Sequence, residues 1–471
     1  MQTNILNNDT ICAIATPHGM GAIAVVRVSG SNAFPIVSQM FTQNGNPFDI
    51  SKMVSHRAYY GHIMEHDELL DEVLVTFFKA PHSFTGEDSA EISVHGSVFV
   101  QQKLLQVLIA HGCRMAEAGE FTRRAFVNRK FDLTQAEAIA DLISSESEAA
   151  HRVAINQLKG GFSKELQVLR SKLLEMTSLM ELELDFSEED VEFADRSQLK
   201  ALLQETLAHV DKLKDSFRLG NAIKNGIPVV IVGQTNTGKS TLLNALLGED
   251  RAIVSDIAGT TRDTIEETLN INGILYRFID TAGLRNTDET IEKIGIERSY
   301  KKIAEANVVI GMLDATTSYE SVLSAANDIR SRVDLSNQQL IICINKVDTL
   351  ADQGEALLGE LRLDLDNDDI MVICLSAKHG FGLNDLYNTL KYSQPLASPD
   401  ATLVTNVRHY EALLHASESL KQVQQGLEMN IPTDLVSQDL RQALYHLGSI
   451  TGEITTDEVL GSIFSRFCIG K

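Results

Sequence analysis

Gly233–Ser240 reads G-Q-T-N-T-G-K-S, and no other stretch constrains the fold as strongly. It follows an apolar run, Pro228–Val232, and precedes a run of helix formers, Thr241–Leu247. Strand, glycine-bearing loop and helix in that order make the phosphate-holding turn of an α/β sheet. The glycines let the backbone curl so that its N–H groups face phosphate oxygens. Lys239 then brings a point charge to the β- and γ-phosphates, and the Ser240 hydroxyl is placed for Mg²⁺. Asn236, Thr237, Gly238 and Thr241 complete this part of the expected nucleotide contacts.

The texture around the loop supports that reading. Strand-like runs at Pro228–Val232, Leu275–Ile279, Val308–Leu313, Leu340–Ile344 and Met371–Leu375 alternate with helical segments. Such alternation predicts a parallel sheet with crossover helices. Three further motifs each follow one of those runs. In Asp280, Thr281, Ala282 and Gly283 (D-T-A-G), the Asp supports Mg²⁺ and the Gly N–H meets the γ-phosphate. In Asn345–Asp348 (N-K-V-D), a carboxylate at Asp348 accepts the N1–H and 2-amino N–H of guanine, with Asn345 and Lys346 beside it. Adenine offers neither donor, so GTP is the expected substrate. Ser376, Ala377 and Lys378 (S-A-K) back the base. Leu284 follows D-T-A-G where a water-orienting Gln stands in Ras-like GTPases, so catalysis needs another group. Glu292 is the nearest candidate, with Glu289 as its competitor, and Arg262 and Arg285 are the available cations.

The remainder predicts two other textures. Residues 10–118 read as short strands and turns of an α/β or mostly β domain, with strands at Gly21–Ser29 and Glu72–Phe78 and loops at Pro81–Asp88 and His111–Cys113. Residues 132–220 and 403–471 carry apolar stripes at helical spacing. Thr134 with Glu137, and Thr455 with Glu458, have capping-box spacing, and Gly220 reads as a helix stop. Asp185–Asp190 reads as an acidic solvated connector. The expected domains are 1–118, 119–220, 221–390 and 391–471, with the helical domain interrupted by the α/β domain. No apolar run approaches the roughly 20 residues that span a bilayer, so a soluble cytoplasmic protein with no membrane segment is expected. Five dispersed cysteines without a C-x-x-C pair argue against a disulfide framework or zinc site. His62 and His66 stand four apart in a turn-like stretch, which argues against a metal pair. The net charge of −23 disfavours an exposed nucleic-acid surface overall. Arg123, Arg124, Arg129 and Lys130 are the candidate local basic patch, against the plainer reading of solvated charges.

Several stretches together resemble the MnmE (TrmE) family of bacterial tRNA modification GTPases over essentially the full chain. They are T-P-H-G-M-G-A-I-A-V-V-R-V-S-G near the start, F-T-G-E-D, G-E-F-T-R-R-A-F-V-N-R-K-F-D-L-T-Q-A-E-A, S-D-I-A-G-T-T-R-D and the closing F-C-I-G-K. The resemblance implies an N-terminal α/β folate-binding-type domain and a central all-helical domain interrupted by a Ras-like α/β GTPase domain. It implies activation by K⁺ at Asn236, Ser255, Ile257 and Thr260, and Thr261 on Mg²⁺. Asp256, Ala258 and Gly259 fall within the same GTP-binding switch. Glu292 matches the family's water-orienting glutamate.

A 5-formyl- or methylene-tetrahydrofolate is implied at Arg27, Glu91, Lys130 and Lys471. So are a homodimer formed through the nucleotide domains and an FAD-containing partner, MnmG (GidA), completing a heterotetramer. The implied product carries an aminomethyl-type or carboxymethylaminomethyl group at C5 of the wobble uridine, position 34, of certain tRNAs. His18 and Met20 fall in the variable part of the first motif, and Ser255 stands where Thr is common. The competing function is a GTP-dependent ribosome-assembly or regulatory switch, which would not need residues 10–130 or the F-C-I-G-K end.

Overall fold

A computed structural model describes residues 9–66, 68–185, 196–248, 267–279, 302–365, 369–392, 402–429, 431–465, 467 and 469–470. They form two compact units. One comprises Met1–Ala140, Gln157–Ala208 and Ala412–Lys471, the other Asp141–Asn156 and His209–Glu411.

The first unit begins with eight strands: β1 (Thr10–Ile14), β2 (Ile23–Ser29), β3 (Phe41–Gln43), β4 (Asn46–Pro47), β5 (Ala58–Glu65), β6 (Glu68–Phe78), β7 (Ser89–His95) and β8 (Cys113–Met115). They order as β4-β3-β5-β6-β7-β2-β1-β8, antiparallel except for the parallel pair β1–β8. The period of two decides which side chains enter the core. Ala24, Val26 and Val28 of β2 are buried beneath helices Ala33–Met40 and Val98–Ala110. The residues between them, including Arg27, take the opposite face. The loop expected at His111–Cys113 is shorter than that, because Cys113 opens β8.

Helices make up the rest of this unit. In Gly161–Asp185, Leu166, Leu169, Leu173, Met176 and Met180 are buried, and this helix packs along Thr433–Thr451. Two helix starts differ from expectation. The box before Leu133 is formed by Asp132 and Gln135: Asp132 Oδ1 accepts from Gln135 N–H at 2.9 Å, and Gln135 Oε1 accepts from Asp132 N–H at 3.0 Å. Thr134 and Glu137 lie inside the helix and are buried. Near the C-terminus Thr456, not Thr455, caps, accepting from Val459 N–H. The closing segment folds back within the unit. Phe464 and Phe467 pack with Leu133 and Ala136, and Ile469 forms a bridge to Ala118.

The second unit has six strands: β9 (Ile227–Gly233), β10 (Glu267–Ile271), β11 (Ile274–Phe278), β12 (Val308–Asp314), β13 (Gln339–Asn345) and β14 (Ile370–Cys374). Their order is β10-β11-β9-β12-β13-β14, parallel from β11 to β14, with β10 as an antiparallel edge that the sequence reading omitted. Gly220 does not stop a helix. It lies inside Phe217–Asn225, pressed against the Val404 backbone, and Gly226 at φ 83° ends that helix. Any side chain at 220 would enter the Val404 carbonyl.

Replacing the fully buried Leu173 by Ala should lower the stability of its unit by about 2–5 kcal/mol. The same change at Val168, half exposed on the same helix, should stay within about 0.5 kcal/mol. Thermal unfolding of the two variants separates these outcomes.

Candidate functional site

The phosphate loop is held open by three backbone positions with positive φ: Gly233 at 153°, Asn236 at 59° and Gly238 at 96°. Gly238 caps helix Lys239–Leu247. The first-turn N–H groups of that helix have no preceding helical carbonyl to bond, and the helix dipole adds positive potential there. This is an anion-binding end. Lys239 is buried, and its ammonium donates to Gly233 O at 3.1 Å and Gln234 O at 2.7 Å, across the loop. Thr237 Oγ1 donates to Gln234 O at 2.9 Å. Ser240 and Thr241 are exposed, so the Ser240 hydroxyl is free to face a phosphate-bound Mg²⁺.

The two base-side motifs converge on this loop. Asn345, buried at the end of β13, donates from Nδ2 to Thr237 O at 2.7 Å and accepts at Oδ1 from Ala377 N–H at 3.0 Å. One amide therefore ties the phosphate loop to the Ser376–Lys378 loop. A Cβ at Gly238 would land on that Asn345 amide, so glycine is required there. Lys346 has φ 69° and ion-pairs with Asp314 at 2.6 Å. Burial pushes the Asp314 carboxyl up, but Lys346 and Thr316 outweigh it and hold the group below the usual carboxylate range. The sequence reading missed Asp314; its signal is the carboxylate at the end of an apolar strand.

Asp348 is exposed, with His379 Nε2 3.7 Å away. The adjacent Ser376 hydroxyl is the largest influence lowering its carboxyl, although it makes no hydrogen bond of full geometry. An ionised, acceptor-only Asp348 beside Lys378 suits a base edge that offers two donors.

Ser255, Asp256, Ile257, Ala258, Gly259, Thr260 and Thr261 lie outside the described residues. So do Asp280, Thr281, Ala282, Gly283, Glu289, Glu292, Arg262, Arg285 and Lys471.

A second cluster lies on the outer face of the first unit's sheet. Arg27 and Glu91 are direct cross-strand partners, bonded at 2.9 Å and 3.0 Å. The guanidinium lies 4.8 Å from the Phe84 ring centroid and 5.7 Å from that of Phe121. Lys130 donates to Pro81 O at 2.9 Å, on the loop that carries Phe84. A flat heterocycle with N–H donors and an acidic tail would meet an aromatic wall, a carboxylate acceptor and two cations here. Gly470, one residue before Lys471, lies against the backbone of Ile14, and Ile14 neighbours the Arg27 partner Ala13. The two aromatics were not singled out from sequence. The expected basic patch divides. Arg124 is buried against Asp9 (2.8 Å), Glu120 (3.0 Å) and Glu87 (3.2 Å), and Arg123 faces Glu117 at 3.5 Å. Arg129 and Lys130 are exposed.

A parallel sheet with its phosphate loop, an N-K-V-D loop and an S-A-K loop drawn together by one amide defines a Ras-like GTPase. Comparison with known proteins narrows the class. The MnmE helical domain family matches residues 133–468, and the family described as the GTP-binding protein TrmE N-terminus matches residues 10–130. Proteins named tRNA modification GTPase MnmE are 50% identical to this chain. That of Bacteroides fragilis aligns over 99% of this chain and 100% of its own, and that of Porphyromonas gingivalis over 99% and 98%. Among solved structures, a point variant of Aquifex aeolicus Era bound to GDP.AlF4- is 30% identical, covering 41% of this chain and 66% of its own, with a TM-score of 0.27. The G domain of the T. maritima FeoB iron transporter is 24% identical, covering 36% and 99%, with a TM-score of 0.25. The chain belongs to the MnmE family of tRNA modification GTPases and is a GTP-hydrolysing enzyme. Among the described residues no helix is long and apolar enough to cross a membrane.

Gly238→Ala should cost about 2 kcal/mol or more, from a strained φ and a displaced Asn345 amide, and should weaken GTP binding roughly ten-fold or more. Titration with a fluorescent GTP analogue reads the loss. Gly359→Ala, where a Cβ meets open space, should leave binding unchanged.

Proposed function

We propose that this chain hydrolyses GTP to drive modification of C5 of the wobble uridine, position 34, of certain tRNAs. The observation that carries the GTP part is the Asn345 amide joining the phosphate loop to the base-side loop. Membership of the MnmE family supports the tRNA part.

In this reading Lys239, the N–H groups of Asn236–Thr241 and Gly283 hold the phosphates. Asp348 accepts the two donor groups of guanine, with Asn345 and Lys346 positioning its loop and Ser376, Ala377 and Lys378 backing the base. Ser240 and Thr261 would hold Mg²⁺, with Asp280 in support and Thr281 and Ala282 among the GTP contacts, and the ion would neutralise phosphate charge. K⁺ would be held by Asn236 of the phosphate loop and by Ser255, Ile257 and Thr260 of the switch Ser255–Thr261, and would supply charge where an arginine finger would act. Glu292 orients the attacking water. Among the described residues Asn236, exposed in the phosphate loop with φ 59°, is the one that belongs to this cation assignment.

The aromatic and charged cluster at Arg27, Glu91 and Phe84 supports a 5-formyl- or methylene-tetrahydrofolate site, completed by Lys130 and Lys471. The domains on this reading are 1–118, 119–220, 221–390 and 391–471. The family resemblance supports a cytoplasmic homodimer working with FAD-containing MnmG in a heterotetramer that adds an aminomethyl-type group.

Hydrolysis should be several-fold faster in potassium than in sodium, with dimers appearing by light scattering in GDP and aluminium fluoride. Equal rates in both salts would overturn the potassium assignment and favour a plain switch protein. Glu292→Ala should slow hydrolysis while sparing nucleotide affinity; weakened affinity would instead mark a structural residue.

Asp348→Asn should reduce GTP affinity by roughly 10²-fold or more, because the amide presents a donor to guanine's own donors. Xanthosine triphosphate, with a carbonyl at C2, should regain affinity in competition binding. Loss of both nucleotides would show that Asp348 only supports the loop.

A further inference from the structure

A surface carrying 64 acidic and 41 basic residues repels polyanions over most of its extent, so a local excess of cations is informative. Three loops of the first unit meet at one end of its sheet. Residues 55–57 lead into β5, residues 79–82 follow β6, and residues 128–130 follow helix Glu120–Val127. Hydrogen bonds fix them together. Lys79 N–H donates to Ser55 Oγ at 3.0 Å, His82 N–H to Lys79 O at 2.9 Å, and Lys130 Nζ to Pro81 O at 2.9 Å.

Arg57, Lys79, Arg129 and Lys130 are all exposed on these loops, with His56 and His82 between them. Among the described residues none of the four permanent cations makes an ion pair. Their basic neighbours differ: Arg114 and Arg124 are engaged by Asp9 and Glu120, Arg123 by Glu117, and Lys52 by Asp49. Solvated loop charges would be the plain account of any one of the four. Convergence of three separate loops, held by named bonds beside the Arg27 cluster, is not expected of scattered charges.

The geometry points to these loops as a docking rim for the phosphate backbone of tRNA. This rests on the tRNA and folate readings above. The loop that presents Lys79 and His82 also places Phe84 over Arg27. A nucleotide brought to a one-carbon donor at Arg27 carries its phosphates across this rim. Phosphate contacts fix position without reading sequence, which is the service such a rim supplies. Most of the affinity can reside in a partner, and the rim then sets how the bound strand enters.

The test is tRNA binding to the full chain between roughly 50 and 200 mM salt, the range over which counterion release is read. Wild type is compared with the triple variant Arg57→Gln, Lys79→Gln, Arg129→Gln. Lys130 is kept because it belongs to the folate assignment. Each phosphate contact adds about 0.7–0.9 to the slope of log affinity against log salt. The triple variant should therefore lose roughly two to three units of slope, a roughly 20- to 40-fold smaller change over that range. GTP hydrolysis and thermal unfolding should match wild type. The charge-preserving Arg57→Lys, Lys79→Arg, Arg129→Lys variant should restore the slope. An unchanged slope in the triple variant, or no recovery in the charge-preserving one, overturns the rim. Loss of binding only to phosphatidylserine-containing vesicles would reassign the loops to a membrane. Failure of wild type to bind tRNA even at the lowest salt would overturn the rim and leave the tRNA contacts to the partner.

Discussion

The Asn345 side chain is the point on which the nucleotide site depends. Parallel strands present their C-terminal ends at one edge, so β9 and β13 deliver the phosphate loop and the N-K-V-D loop to the same side with β12 between them. That alone leaves the loops near each other but unconnected. The Asn345 amide has one donor end and one acceptor end, and both are used in a buried place. Removing it would strand the Thr237 carbonyl and the Ala377 N–H away from water, at about 1–3 kcal/mol each. Gly238 is constrained by the same amide. The positive φ that begins the helix and the missing Cβ that admits Asn345 are two demands on one position.

The first unit organises its outer-face cluster by a different force. Asp9, Glu87, Arg114, Glu120 and Arg124 form a half-buried ionic network. Burial pushes the Glu120 carboxyl up, but Arg114, the Glu117 N–H and Arg124 together hold it below the usual range. Removing one partner would leave an uncompensated charge, which costs more than the pair contributes. The network joins the chain start, the Phe84–Asp88 loop and helix Glu120–Val127, which is where Arg27 finds its two rings. Ser29 adds a second tie, donating to Glu87 at 2.9 Å and sharing a 2.7 Å bond with Thr85. Arg27 is thus set by its own strand register, and its aromatic walls are set by charges on three other elements.

The parts legible in sequence are those coded locally. Apolar runs bounded by turns marked the five parallel strands, and the phosphate loop marked its own strand and helix. The antiparallel edge strand β10 was missed although Asn272-Gly273 is a strong hairpin signal, and both residues take positive φ. Asp132 and Thr134 are both good caps two residues apart, and only the bonds to Gln135 separate them. Gly220 was misread because its reason is nonlocal: Val404, far along the chain, occupies the space a side chain would need. The same limit applies to Arg27. Its pairing with Glu91 follows from register between β2 and β7, and its contact with Phe84 from a loop held by Arg124. Sequence spacing carries neither fact, so a family resemblance marked these residues where periodicity did not.

Charge distribution separates how the two polyanions are met. The nucleotide site uses little net charge: one buried lysine, a helix end and curled backbone N–H groups, all fixed before any phosphate arrives. Such dipoles act at contact distance, so a negative surface beyond them does little harm. A long RNA is different, because its phosphates feel the protein's field over a Debye length of about 8 Å at physiological salt. A chain of net charge −23 must therefore repel most approaches of a tRNA. Repulsion elsewhere gives orientation to a local cluster of exposed cations. The strand is then favoured across the loops that carry Arg57, Lys79, Arg129 and Lys130, beside the Arg27 cluster. Acidity over the rest of the surface and basicity at that rim then select one approach, with neither needing to be strong.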